Sequence, residues 1–238
     1  MKESERIDRL ALFGMTRHEA TIYLCLYRNG SMTGYEAAKL TGISRSNVYS
    51  ALAGLADQGA IRRIEGSSSK YVAVAVEEFC EDKIRQLQQS ADWLKENLTP
   101  STKPEVGYVT IAGDRQILDK ARHMIEQAEK RVYLSASYDL IDSLSSALSA
   151  ALNRKIKVIL MSERFPETLK GAVLYRLQNR EAQIRLICDS RIVLTGEWTG
   201  SPDDQCLFSG QRVLVETLKD SMRNEIKLIE LSGRKKKS

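Results

Sequence analysis

Apolar positions in the first hundred residues fall at helical spacing in short blocks, each closed by a glycine. Ile7, Leu10, Ala11 and Leu12 predict a short helix ended by Gly14. Thr16-Arg-His-Glu19 has the form of a capping box, in which the hydroxyl accepts from the Glu19 amide and the carboxylate reaches back. It opens a second helix with Ala20, Tyr23, Leu24 and Tyr27 on one face and Gly30 at its end. Thr33-Gly-Tyr-Glu36 repeats the box before a brief third helix that stops at Gly42. After a tight turn a fourth helix begins behind Ser44, with Val48, Ala51, Leu52 and Leu55 on one stripe and Gly59 as its stop. Two short helices joined by a glycine-bearing turn predict a helix-turn-helix. Ile61–Ile64 and Tyr71–Val74 read as strands around the polar stretch Glu65–Lys70, a hairpin that makes the unit winged.

From Glu77 to Leu98 nothing breaks the helical pattern. Cys80, Ile84, Leu87, Ala91, Leu94 and Leu98 step by four and three alternately, which is a heptad seam. Ile84, Leu87, Ala91, Leu94 and Leu98 are therefore expected to join two copies of the chain; packing of this face on its own domain is the alternative.

Pro100-Ser-Thr-Lys-Pro104 marks a boundary. Beyond it, strands are predicted at Val106–Ile111, Val132–Ser135, Ile156–Met161, Ile184–Cys188, Ile192–Thr195 and Cys206–Phe208. Helices are predicted at Asp114–Glu129, Leu140–Leu152, Glu167–Arg180 and from about Gln211 to Leu231. Alternation of this kind implies an α/β layer on a mainly parallel sheet. The expected division is 1–75 for an α+β winged helix-turn-helix domain, 76–100 for a coiled-coil linker helix, 104–232 for an α/β domain and 233–238 for a basic disordered tail.

Composition narrows the class. The chain has 238 residues, 42% of them apolar and 28% charged, as in a soluble globular protein. No apolar run approaches the roughly 20 residues that cross a bilayer, and Met1–Asp8 is too charged for a signal peptide, so a cytoplasmic protein with no membrane partner is expected. Cys25, Cys80, Cys188 and Cys206 are scattered, and two histidines with so dispersed a set form no metal site; no cofactor is expected. The net charge of +5 is unevenly placed. Residues 1–75 carry +3, residues 76–103 carry −2, and the +4 of the remainder equals the Arg234–Lys237 run.

The amino end of the fourth helix is the clearest candidate for chemistry. Unpaired N–H groups and the helix dipole favour phosphate there. Ser44 caps the first turn. Arg45 can reach a guanine edge or a phosphate, Asn47 suits an adenine edge, and Ser46, Tyr49 and Ser50 can donate to bases or backbone. Asp57, three turns on, would be repelled, so the contact zone is the first two turns. On the wing, Ser67, Ser68, Ser69 and Lys70 are placed to follow the next phosphates, Ser68 and Lys70 foremost. The expected partner is double-stranded DNA, as an inverted repeat if the chain pairs.

Three segments, Phe13-Gly-Met-Thr-Arg-His-Glu-Ala-Thr-Ile-Tyr-Leu24, Gly42-Ile-Ser-Arg-Ser-Asn-Val-Tyr-Ser-Ala-Leu52 and Leu55-Ala-Asp-Gln-Gly-Ala-Ile61, in this order and spacing, resemble the TrmB family of prokaryotic transcriptional regulators. The wing departs from the family, which often has glycine-arginine-proline where this chain has Gly66-Ser-Ser-Ser69. The resemblance implies a sequence-specific transcriptional regulator with a phospholipase D-like carboxy-terminal domain. Such enzymes use a histidine nucleophile, a lysine two residues on and an aspartate five further. Aligned on Asp189, those positions hold Ala182 and Ile184, so no catalytic residue is expected. The domain would then act as a sensor or oligomerisation platform. Ser135, Ser137, Tyr138, Arg164 and Asp189, with Ser162 and Glu163, are the residues expected around a crevice for an unknown small-molecule effector. The chain ends at Ser238, short of the larger sugar-binding extension of some relatives, so sugar sensing is not expected to carry over. Two other readings remain: a thiol switch using Cys80 across the seam or Cys188 with Cys206, and a phosphodiesterase.

Overall fold

The computed structural model describes residues 3–66, 68–98, 107–177 and 182–235, with side chains as far as Leu231. It divides into two compact units, Met1–Thr102 and Lys103–Ser238. The Pro100–Pro104 boundary, Ser67 and Val106 lie outside the described residues.

The first unit runs α1 (Glu3–Ala11), α2 (Arg17–Asn29), β1 (Met32–Thr33), α3 (Gly34–Thr41), α4 (Arg45–Asp57), β2 (Ile61–Ile64), β3 (Lys70–Ala73) and α5 (Val76–Asn97). Both capping boxes form: Thr16 and Thr33 accept from the Glu19 and Glu36 amides, and each glutamate takes the cap's own amide at 2.7 Å. Gly42 adopts the left-handed conformation that ends α3, at φ 71°. Ile22, Tyr23, Leu26, Val48, Leu52 and Leu55 form the centre of the core, so α2 clamps the aliphatic back of α4. The Tyr23 hydroxyl donates to the Val74 carbonyl at 2.9 Å, tying α2 to the end of the hairpin. Strand β1 was not foreseen. It has two residues, too few for any periodicity, and pairs antiparallel with β3 through Met32 and Tyr71. The sheet order is β1-β3-β2.

The second unit runs β4 (Tyr108–Ala112), α6 (Asp114–Glu126), β5 (Arg131–Ser135), α7 (Tyr138–Ser143), α8 (Ser145–Asn153), β6 (Lys157–Ser162), β7 (Val173–Arg176), β8 (Gln183–Cys188), β9 (Ile192–Glu197), β10 (Gln205–Ser209) and α9 (Arg212–Lys235). Its seven strands lie in the order β4-β10-β9-β8-β5-β6-β7. Helices α6, α7 and α8 bury one face over Val132, Leu134, Leu160, Ile184 and Leu186. Helix α9 covers part of the other through Val215 and Met222, against Met161, Ile187 and Val193.

Four expectations change here. The sheet is mixed rather than mainly parallel: only β5-β6-β7 run parallel, and the remaining neighbours are antiparallel. The helix expected at Glu167–Arg180 is replaced by edge strand β7, whose Val-Leu-Tyr-Arg backbone pairs with β6; residues 178–180 of that span lie outside the described residues. Pairing supplied from elsewhere in the fold decides a short apolar run that local spacing leaves open. The helix expected at Leu140–Leu152 is two helices meeting at the fully buried Leu144. The closing helix continues through Lys235, into the span expected as a disordered tail; residues 236–238 lie outside the described residues.

Candidate nucleic-acid interface and the carboxy-terminal crevice

Ser44 is the N-cap of α4, its Oγ accepting from the Asn47 amide at 3.4 Å. Ser44, Arg45, Ser46, Asn47, Tyr49 and Ser50 are all exposed, while Val48, Ala51 and Leu52 point inward. Polar and aliphatic sides of one helix are thus separated as a groove-reading helix requires.

Two contacts within this surface were not visible in the sequence. The Arg45 guanidinium stacks over the Tyr35 ring, 4.5 Å from its centroid, although Tyr35 is itself 52% exposed. Arg45 is thereby held at the helix end rather than left free. The Tyr49 ring closes against Gly34, where a side-chain carbon would stand 2.8 Å from the ring. Tyr49 nonetheless remains 51% exposed. Tyr35 belongs to α3 and lies ten residues from Arg45, so no local spacing joins them; an aromatic in the first turn after the Thr33 cap was the only hint.

On the wing, Ser68 and Lys70 are exposed. Arg63, missed in the sequence, donates from Nε and Nη2 to the Ser69 hydroxyl at 3.1 and 2.7 Å, bracing the hairpin tip. Arg62 pairs with Glu78 at 2.6 Å, linking the wing to the start of α5. The Glu36 carboxyl is held below its usual range, first by the Thr33 amide and then by its hydroxyl, with Lys70 adding a smaller attraction.

Helix α5 is anchored by Phe79, which is buried against Phe13 and Tyr23. Past that point its apolar seam is uncovered. Ile84 is 58% and Leu87 55% exposed; Leu94 and Leu98 are also exposed, and Ala91 is half-buried. Leu98 sits just past the last helical residue.

In the second unit the candidate effector residues divide. Tyr138 and Arg164 come together with Glu163 beyond the carboxyl ends of β5 and β6, next to the buried Ser162 that ends β6; Ser137 is the N-cap of α7, adjacent to Tyr138 in the chain. The Arg164 guanidinium lies 4.7 Å over the Tyr138 ring. Glu163 accepts from the Tyr138 amide at 3.4 Å and the Ser162 hydroxyl at 3.2 Å. Its carboxyl titrates below the usual range, chiefly through its own backbone amide. Ser135 is fully buried, not on a crevice wall: its hydroxyl accepts from Arg185 at 3.3 Å. Arg185 also makes a two-pronged ion pair with Glu225 of α9, at 2.9 and 2.7 Å, and donates to the Ser221 hydroxyl at 3.3 Å.

Asp189 does not belong to this cluster. It sits in the β8–β9 turn with φ 54°, beside Arg131 at the start of β5, whereas Ser135 ends that strand. Its carboxylate accepts from the amides of Glu129, Lys130 and Arg131 at 2.9, 2.8 and 2.9 Å. Burial works against its ionisation, but the three donors outweigh that and hold its carboxyl below the usual range. Asp189 is a clamp on the turn entering β5. The two positions that the aspartate alignment assigns to histidine and lysine are Ala182 and Ile184, the latter fully buried.

Cys188 and Cys206 are both buried and are not neighbours across the sheet. Burial pushes Cys188 and Cys206 each up to about 12. Strand β9 separates them, with Cys188 opposite Ile192 and Cys206 opposite Gly196. Among the described residues no cluster of His, Cys, Asp or Glu could hold a metal, and no helix is long and apolar enough to cross a membrane.

A capped helix-turn-helix with a hairpin wing defines a winged-helix protein. Residues 10–77 match the model of the sugar-specific transcriptional regulator TrmB, and residues 108–221 match that of the EBD N-terminal subdomain of transcriptional regulator TrmB. The two models share one family and together cover well over half of the sequence: the chain belongs to the TrmB family. It is 25% identical over 217 residues to the HTH-type sugar sensing transcriptional regulator TrmBL1 of Pyrococcus furiosus, covering 88% of this chain and 61% of that one. It is 26% identical over 165 residues to the uncharacterised protein YrhO of Bacillus subtilis, covering 68% and 60%. The chain thus spans about three fifths of the length of these curated relatives. Among solved structures it is similar to TrmBL2, an archaeal chromatin protein, with a TM-score of 0.44, 17% identity and 95% and 99% of the two chains covered. It is also similar to the phospholipase D family member Nuc from Salmonella typhimurium, with a TM-score of 0.40, 16% identity and 50% and 93% covered.

Proposed function

We propose that this protein is a dimeric, sequence-specific DNA-binding transcriptional regulator, whose carboxy-terminal unit is a non-catalytic sensor or oligomerisation module. The observation that carries the reading is the amino end of α4: capped by Ser44, exposed from Arg45 to Ser50, and with Arg45 aimed by the Tyr35 ring. Family membership supports the same reading. Phosphate contacts by Arg45, Ser46, Ser68 and Lys70 position the unit, and Arg45 and Asn47 read base edges. The uncovered seam Ile84, Leu87, Ala91, Leu94 and Leu98 joins two copies, so the operator is an inverted repeat. Sugar sensing is a property in the name of TrmBL1; for this chain the effector is an unidentified small molecule held near Ser137, Tyr138 and Arg164.

Hydrolysis is disfavoured by chemistry: Ala182 and Ile184 offer neither nucleophile nor phosphate clamp, and Asp189 is engaged by three amides. The Cys188–Cys206 form of the thiol-switch alternative is disfavoured by the burial and separation of those two thiols.

Selection of duplexes from a random pool by the purified chain tests the proposal. An inverted repeat should emerge, with affinity falling steeply as salt rises. A pool that never enriches, or binding indifferent to salt, contradicts it.

A further inference from the structure

The first unit carries an apolar groove of about 700 Å³ between α1, α2 and the start of α5. Leu10, Phe13, Leu24 and Tyr27 form its floor, and Val76 and Cys80 its α5 side. Its rim carries three cations, Arg6, Arg9 and Arg28, and one carboxylate, Glu5. Arg28 is paired with Glu3 at 3.1 Å, but among the described residues Arg6 and Arg9 make no ion pair. No residue of α4 lines the groove, and Tyr23 is shared between the groove and the core that packs on Val48, Leu52 and Leu55.

Cys80 belongs to two features at once: it lines the groove, and it is the first apolar position of the exposed α5 seam. One step further back the seam pattern lands on Glu77, a carboxylate. In a parallel pair of α5 helices, two Glu77 side chains would approach each other across the axis, and like charges there oppose pairing. Glu81, one turn on, flanks the same line, and among the described residues neither glutamate makes an ion pair. In the first turns of α5, Glu78 and Asp82 are paired with Arg62 and Arg85, which leaves Glu77 and Glu81 as the carboxylates without an ion pair, while Arg6 and Arg9 are the rim cations without one.

We infer that the groove is the second half of the self-association surface, in which the acidic start of α5 from a second copy lies against the Arg6–Arg9 rim in a parallel dimer. This rests on the seam-mediated dimer proposed above and extends it. Burial of Tyr27 and the groove floor supplies apolar area beyond the seam. The unpaired charges are reciprocal, so one symmetric operation satisfies both copies. A parallel arrangement also leaves both α4 helices at the same end of the paired α5 helices, as two half-sites require.

Sedimentation equilibrium of the full chain over a range of concentrations tests the inference, using Arg6→Glu/Arg9→Glu, Glu77→Arg/Glu81→Arg, the four changes combined, and Leu87→Asp. Each charge-reversed pair should weaken dimerisation about tenfold or more, and the combined variant should recover most of that loss. The recovery separates a lost contact from misfolding. If Leu87→Asp abolishes the dimer while Arg6→Glu/Arg9→Glu leaves it unchanged, the groove claim falls and the seam survives. A wild-type chain that stays monomeric sinks both. Binding of 8-anilinonaphthalene-1-sulfonate to the intact dimer, lost in Arg6→Glu/Arg9→Glu, shows an open groove that takes a small anion, and overturns the inference.

Discussion

Arg45 on α4 and Tyr35 on α3 are locked together, the guanidinium 4.5 Å above the ring centroid. The contact joins the two helices of the helix-turn-helix at the point where it would meet DNA. An arginine pre-aimed in this way loses less freedom on binding than one that is free in solvent. Tyr35→Ala should weaken operator binding by about 0.5–1 kcal/mol, the scale of an exposed cation–π contact. Fluorescence anisotropy against the selected duplex reads this directly, and unchanged affinity would mean that the stacking has no part in recognition.

Gly34→Ala isolates the placement of Tyr49. The added methyl would stand 2.8 Å from that ring, and the half-exposed Tyr49 can move away rather than disrupt the core. Urea melts should show a stability change within about 0.5 kcal/mol. Duplex affinity should fall while stability holds. Equal affinity would remove Tyr49 from the contact surface.

The legible and illegible parts of this chain separate by range. Thr16–Glu19, Thr33–Glu36, Ser44 and the glycine stops are signals spanning four residues or fewer, and each forms as its sequence predicts. The stripe Val48, Ala51, Leu52 and Leu55 is likewise local and is buried. The errors concern partners distant in sequence. Strand β7 exists because β6 pairs with it, and Asp189 was misplaced because its three donors lie some sixty residues earlier. Sheet direction depends on β8 returning beside β5, which no periodicity records.

Asp189 predicts a pH-dependent contribution to stability. Its carboxyl titrates lower in the folded chain than in the unfolded one, so its contribution is full above the unfolded value of about 3.9 and fades as pH falls through the lower folded value. Asp189→Ala should cost about 1–3 kcal/mol at pH 7, since three amides lose a charged acceptor. The gap between the two proteins in urea melts should narrow toward pH 3. A gap that does not change with pH would show that the clamp does not depend on its charge.

Arg185 and Glu225 make a different stability test. With the Arg185 side chain 5% exposed, removal of one partner leaves a poorly solvated charge beneath α9. Arg185→Leu should destabilise by about 3–5 kcal/mol, and adding Glu225→Leu should recover a large part of that. If the double variant is no more stable than the single one, the ion pair is not what couples α9 to the sheet.

The most direct test of the account is the affinity of wild type and Arg45→Ala for duplexes in which each operator base pair is changed singly. Wild type should lose affinity at particular pairs, and Arg45→Ala should become indifferent to one pair in each half-site, a loss of about 1–3 kcal/mol of discrimination. An Arg45→Ala profile that parallels wild type at every position would contradict the placement of the α4 amino end against base edges.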